Sequence, residues 1–165
     1  MDNNKLFLRF ADEHDMDLLL EWANDKDLRA NSFNTEQISE ESHQKWFHKI
    51  MNSDKIKLWI MMNGNIPVGQ IRLEVANNSG IISYSIATKH RGLGYGKIIL
   101  KLLEGWITDN FDTEFTAIGL VKTTNNASMH IFETANYEKN ECNEYIKYLK
   151  KINSNIFEGK KRGLV

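Results

Sequence analysis

Leu6, Leu8 and Phe10 alternate with Phe7 and Arg9, the period of a short strand. Asp12 follows as a helix cap, and Met16, Leu19, Leu20 and Ala23 recur behind it at helical spacing. Over 24–39 that periodicity is lost, and polar and turn-forming residues predict a loop with room for one helical turn, long enough to carry a function. From about Glu40 a second helix places Trp46, Phe47, Ile50 and Met51 on one face and ends near Asn52 and Ser53.

The middle of the chain reads as a three-strand meander over 56–62, 67–75 and 81–87, turned at Asn63-Gly64-Asn65 and at Asn77-Asn78-Ser79-Gly80. Tyr95, Ile98, Ile99, Leu102, Leu103, Trp106 and Ile107 form the most regular helical stripe in the chain. A strand over 115–121, a helix capped by Asn125 or Asn126 and a closing strand over 145–149 complete the pattern. Positions 150–165 are polar and Lys-rich, and are expected to be a peripheral tail. With no repeat and no linker, one domain over 1–165 with its core at about 6–149 is expected. The element order favours an α/β (α+β) fold, a mixed central sheet with helices on both faces.

Composition narrows the function classes. The chain has 165 residues, 41% hydrophobic and 26% charged, enough for one real core and not the profile of disorder. Lys and Arg number 21 against 22 Asp and Glu, so no broad positive field is available for nucleic acid or an anionic membrane. Cys142 is the sole cysteine, which excludes an internal disulfide and a cysteine-rich metal cluster, and no metal is expected. The first residues lack a secretory pattern and no run reaches membrane-span length, so a cytoplasmic protein is expected.

Where the strand over 81–87 gives way to the regular helix stands His90-Arg91-Gly92-Leu93-Gly94-Tyr95-Gly96. Glycines at a strand-to-helix turn let the backbone bend and let anion oxygens reach unpaired N–H groups, with the helix dipole in support. Arg91 can add a fixed charge. A dinucleotide fingerprint would need its third glycine where Lys97 stands; a P-loop would need glycine at Arg91 and a hydroxyl at Ile98. Neither applies, and a plain tight turn remains the alternative for the glycines alone.

The flanks resemble the GNAT superfamily of acyl-CoA N-acyltransferases, whose pyrophosphate turn has the form Arg/Gln-x-x-Gly-x-Gly/Ala before a long amphipathic helix. Residues 91–96 match its fixed positions, Pro67-Val68-Gly69 opens a central strand, and Asn126-x-Ser128 opens a late helix before Asn136-Tyr137. The resemblance spans about 6–149. It implies a mainly antiparallel mixed sheet and acetyl-CoA as acetyl donor, with CoA as product. The backbone of Ile86, Ala87 and Thr88 would hold the pantetheine arm like an added strand. The amides of Arg91, Gly92, Leu93, Gly94, Tyr95, Gly96 and Lys97 would hold the pyrophosphate, with Asn126 and Ser128 also at the cofactor.

Transfer needs a neutral amine placed against a thioester carbonyl, donors for the developing oxyanion and a proton for the thiolate. Many relatives carry a Tyr acid six residues after the Asn of the late helix; here that position is Phe132. Ser128, a hydroxyl on the otherwise apolar face of Ile131, Phe132 and Ala135, is a candidate for the sulfur, or else bonds its own first turn. Glu74, in phase with Gln70 and Arg72, is the candidate base, although Arg72 beside it also fits a solvated polar face. His90 is of a residue type that serves in proton transfer but abuts the phosphate turn, and Ile81 stands where relatives often have Glu. Tyr84 lies on the strand nearest the acetyl group. A dedicated base is not required if the amine is already neutral.

For the acceptor, Trp22-Ala23-Asn24-Asp25 and Arg29 to Asn34, with Ile38, Trp46 and Phe47, resemble a branch of the superfamily in pseudaminic or legionaminic acid biosynthesis, whose acceptor is the amino group of a nucleotide-linked deoxy-amino sugar. Asn31, Ser32, Phe33 and Asn34 mix amides, a hydroxyl and a ring suited to such a substrate, and equally suit a polar connection. The alternatives are a protein N-terminal acetyltransferase, of the ribosomal-protein alanine type, and a CoA-binding module without turnover. The expected partner is a small-molecule amine, with neither nucleic acid nor membrane, and a homodimer is allowed.

Overall fold

In the computed structural model, which describes residues 5–154, the strand periods become β1 (Leu6–Phe10), β2 (Ile56–Asn63), β3 (Ile66–Ala76), β4 (Ser79–Ile86), β5 (Phe115–Lys122), β6 (Glu138–Glu141) and β7 (Tyr145–Ile152). They form one mixed sheet in the order β1-β2-β3-β4-β5-β7-β6, antiparallel throughout except where β4 meets β5. The helices are α1 (Met16–Ala23), α2 (Lys26–Asn31), α3 (Glu40–Met51), α4 (Tyr95–Asn110) and α5 (Asn126–Thr134).

The central run of β2 is buried on both faces, and the alternation sorts it between two cores. Leu58, Ile60 and Met62 pack with Leu19, Phe47 and Ile50 beneath α1 and α3. Trp59 and Met61 turn the other way, toward Ile99, Leu100, Leu103 and Ile107 of α4. On β3 and β4 only the α4 side stays apolar, with Ile71, Leu73 and Ile82. The opposite side carries Gln70, Arg72, Ser83 and Ser85, whose side chains bond across the two strands.

Three elements depart from expectation. The loop holds α2, capped by Asp25, whose carboxylate accepts from the Leu28 amide. The edge strand β6 went unanticipated because all four of its residues are exposed, so burial leaves no alternation to read. The closing strand runs on to Ile152, and Lys150 is no tail residue: its Nζ donates to Glu104 at 2.8 Å and to the Ala135 carbonyl at 2.9 Å. The rest of the expected tail, 155–165, lies outside the described residues.

Parallel pairing of β4 with β5 lasts from Ser79 opposite Thr116 to Ile82 opposite Gly119. Beyond it β4 follows β3 to Ile86 while β5 follows β7 to Lys122, and the strands splay. Phe132 of α5, 2% exposed, packs at the base of the splay, stacked on Tyr148 at 5.2 Å and edge-on to Tyr137 and Tyr84. Its ring lies where a Cβ at position 119 would fall, which is why Gly119 fits. Gly119→Ala is expected to cost about 1–3 kcal/mol through overpacking, and Phe132→Leu in the same chain to recover part of it. Urea denaturation of the two variants checks this; an unchanged midpoint for Gly119→Ala would show that the ring yields freely.

Candidate active site

The glycine turn is built for an anion. Gly92 and Gly94 adopt φ of 76° and 78°, and Gly94 caps α4 without a side-chain bond. Among the described residues the amides of Gly92, Leu93, Gly94, Tyr95, Gly96 and Lys97 have no hydrogen-bond partner, since the first bond into the helix is Ile98 to the Gly94 carbonyl. Such N–H groups at a helix start favour phosphate oxygens. Substituents at Gly92 or Gly94 would meet open space, so the turn is accessible, though positive φ disfavours any side chain there.

Below the turn runs a channel of about 850 Å³, walled by the turn, by Ile86 and Tyr84 of β4, by Ser128 and Ile131 of α5, and by Asn31 and Ser32. The Ala87 amide donates to the Val68 carbonyl, so residues in its phase face β3 while the backbone of Tyr84 and Ile86 faces the splay. The expected stretch is shorter than the resemblance implied: Ile86 lines the channel, but Ala87 and Thr88 do not, because their backbone closes a 3-10 turn and the Thr88 hydroxyl donates to Asp25 at 2.7 Å. The Leu93 side chain is exposed outside the wall. Asn126 is exposed as well; Asn125 caps α5 by accepting from the Ser128 amide, and it is Asn125 that lines the channel.

Arg91 is not a free cation for phosphate. Its guanidinium bonds Asp25 at 2.6 Å and Asp27 at 3.1 Å, and its Nε donates to the Ile86 carbonyl at 3.1 Å. Burial alone would raise the Asp25 carboxyl, but bonds from Arg91, Thr88 and the Leu28 amide outweigh it and hold it at about 2. Arg91 thus clasps α2 to the turn. Lys97 is exposed on the wall of the channel. His90 lies on the same wall, stacked on Tyr95 at 6.3 Å.

Two of the sequence candidates come together. The Tyr84 hydroxyl stands 3.3 Å from Ser128 Oγ, joining β4 to α5 across the splay. Burial pushes the Tyr84 phenol up to about 12, with Ser128 partly offsetting it. The third candidate stays apart. Glu74 is exposed, opposite Ile81, whereas Tyr84 is opposite Ile71, and Glu74 lines none of the pockets around the splay.

On the other face of the sheet α1, α2 and α3 enclose a second pocket of about 390 Å³ over Gln70, Arg72, Ser83 and Ser85. It shares Leu28, Ser32, Tyr84 and Ser85 with the channel, so the two spaces meet at the splay. Of the candidate acceptor residues, Ser32 reaches both; Asn31 lines the channel but not the second pocket. Phe33 edges a smaller recess in the splay, against Tyr145, and Asn34 accepts from the Glu36 amide within the loop, away from the walls. Trp22 and Trp46, both among the residues that carry the acceptor-branch resemblance, line the second pocket, together with His43, which the sequence reading did not single out. His43 is buried, its Nε2 donating to the Met16 carbonyl at 2.8 Å. Its spacing of three from Trp46 was the available signal, masked by reading that helix face as core.

No helix among the described residues is long and apolar enough to cross a membrane. Spermidine N-acetyltransferase from Vibrio cholerae, solved with CoA and spermine, is similar in fold at TM-score 0.79 and 14% identity, over 93% of this chain and 98% of that one. Aminoglycoside acetyltransferase AAC(6')-Ib with coenzyme A and kanamycin is similar at TM-score 0.77 and 15% identity, over 95% and 99%. The ribosomal L7/L12 α-N-protein acetyltransferase RimL with coenzyme A is similar at TM-score 0.76 and 16% identity, over 92% and 95%. At these identities the likeness is one of fold. No curated protein matches the chain significantly in sequence. The family described as Acetyltransferase (GNAT) domain matches residues 5–138, and with that match the chain belongs to the GNAT acetyltransferases and is an acetyl-CoA-dependent N-acetyltransferase.

Proposed function

We propose that the acceptor is a primary amine of a small molecule, the amino group of a nucleotide-linked deoxy-amino sugar, entering by the second pocket and meeting the acetyl group at the splay. The observation that carries this is the junction itself: channel and pocket lie on opposite faces of the sheet and share Ser32, Tyr84 and Ser85. A space of about 390 Å³ closed in by Trp22, Trp46 and Leu19 suits the amino-sugar end of such an acceptor. The loop at 22–34, whose residues resemble the amino-sugar branch, supplies Ser32, Leu28 and Arg29 to its wall.

Acetyl-CoA supplies an activated thioester when bound. The chain's part is positioning and charge. The unpaired amides of 92–97 and Lys97 hold the diphosphate, and the β4 backbone at Tyr84 and Ile86 presents N–H groups to the gap, where an oxyanion would develop. As the N–C bond forms and the C–S bond breaks, the nitrogen sheds one proton to solvent, the sulfur takes one from the Tyr84 hydroxyl with Ser128 as relay, and the Tyr84 oxygen regains a proton from solvent. Pushed up to about 12, that phenol is protonated at neutral pH but is a weaker acid than free tyrosine, so its proton moves only as the C–S bond breaks.

Thiol release from acetyl-CoA in the presence of a nucleotide-linked amino sugar is the expected result. Release with a peptide N-terminus alone would favour the protein acetyltransferase, and tight acetyl-CoA binding without release to any amine would leave a binding module. Gly94→Glu, placing bulk and negative charge at the turn, is expected to abolish acetyl-CoA binding by calorimetry; retained affinity would remove the turn from the site. Tyr84→Phe is expected to lower kcat by about 100-fold while acetyl-CoA affinity stays nearly unchanged, and an unaltered kcat would assign the proton elsewhere.

A further inference from the structure

The second pocket is unusual in its charge. Arg72 sits in its floor on β3, its guanidinium 5.8 Å above the Trp46 ring, with one contact to Ser83 at 3.4 Å. Its Nε is shielded from solvent and has no partner. Arg29, on α2, repeats the pattern: its terminal nitrogens donate to the Asn34 and Glu36 carbonyls and to Ser32, while its Nε is shielded and unpartnered. Burial lowers the pKa of both guanidiniums, Glu74 partly offsetting this at Arg72 without forming an ion pair. The contrast within the chain is direct, since Arg9 and Arg91 are each bonded to aspartates. None of the side chains lining the pocket is a carboxylate.

Arg72, largely desolvated in the floor without an ion-pair partner, is costly unless an anion completes it, and Arg29 lines the same pocket without a carboxylate partner. The guanidinium fork matches a carboxylate or a phosphate. We propose that Arg72, with Arg29, forms an oxyanion subsite for the acceptor: the amine acetylated here also carries a phosphate or carboxylate group, and polycations such as spermidine or kanamycin are excluded. This rests on the acetyl-transfer reading above and assigns the residues that would hold the anionic group of its acceptor. A polyamine would bring positive charge to a pocket that offers it no carboxylate, so the same residues select for one class and against the other.

Matched acceptors test it at saturating acetyl-CoA: glucosamine 6-phosphate against glucosamine, glycylglycine against glycylglycinamide, and spermidine alone. The anionic member of at least one pair is expected to be favoured by about tenfold or more in kcat/KM, with spermidine at background; the pair that shows the preference distinguishes phosphate from carboxylate. In Arg72→Met the preference should fall to near unity with acetyl-CoA affinity unchanged, and Arg72→Lys should restore part of it. Tryptophan fluorescence of the CoA-saturated protein, titrated with the same compounds, reads the subsite without turnover. Equal response to both members of each pair in both assays, or spermidine as the better acceptor, overturns the subsite while acetyl transfer stands. Quenching by the anionic compounds that is lost in Arg72→Met, with no thiol release to any amine, supports the subsite and overturns the reaction.

Discussion

A pair of parallel strands that stops bonding after its fourth rung leaves two backbone edges in the middle of a sheet with nothing to pair with, and the rest of the site follows from that opening. Each strand keeps its other neighbour, β3 for β4 and β7 for β5, so the sheet survives the gap. Exposed N–H and C=O groups at such a place are an open template for an extended ligand. The gap also perforates the sheet, so that a space on the α4 face and a space on the α1–α3 face communicate without any strand being cut.

Charge is distributed by the same economy. At the turn the anion site is made of backbone amides, and the nearby arginine is neutralised by two aspartates and used to tie α2 in place. On the far face the arrangement is reversed: Arg72 and Arg29 line the pocket with no aspartate or glutamate bonded to them. A phosphate at the turn therefore meets dipoles and one flexible lysine, whereas a ligand over Arg72 meets a rigid planar cation backed by an indole.

Much of this was legible in the residues. Alternation and three-and-four spacing located β1 to β5, α1, α3 and α4 because each has a face that must be buried. The short α2 and the exposed β6 lack such a face. The glycines announced the turn, since its positive φ values exclude most side chains. Arg72 was visible as a polar residue in phase with Gln70, but whether a polar strand face meets water or a helix depends on what packs over it, and Trp46 and His43 come from a distant segment. The same limit affected Glu74, whose alternation put it on the correct face but could not place it along the strand relative to Tyr84. Ala87 and Thr88 were matched by position to a strand edge that ends one residue earlier, at Ile86.

Phe132 and Gly119 occupy a single volume divided between helix and strand. The size of the aromatic ring sets what the strand can carry, and the bare strand position sets how far the ring can descend. Neither site can drift independently: a larger strand residue is admissible only with a smaller helix residue, and the depth of the cleft's base is inherited from that joint choice.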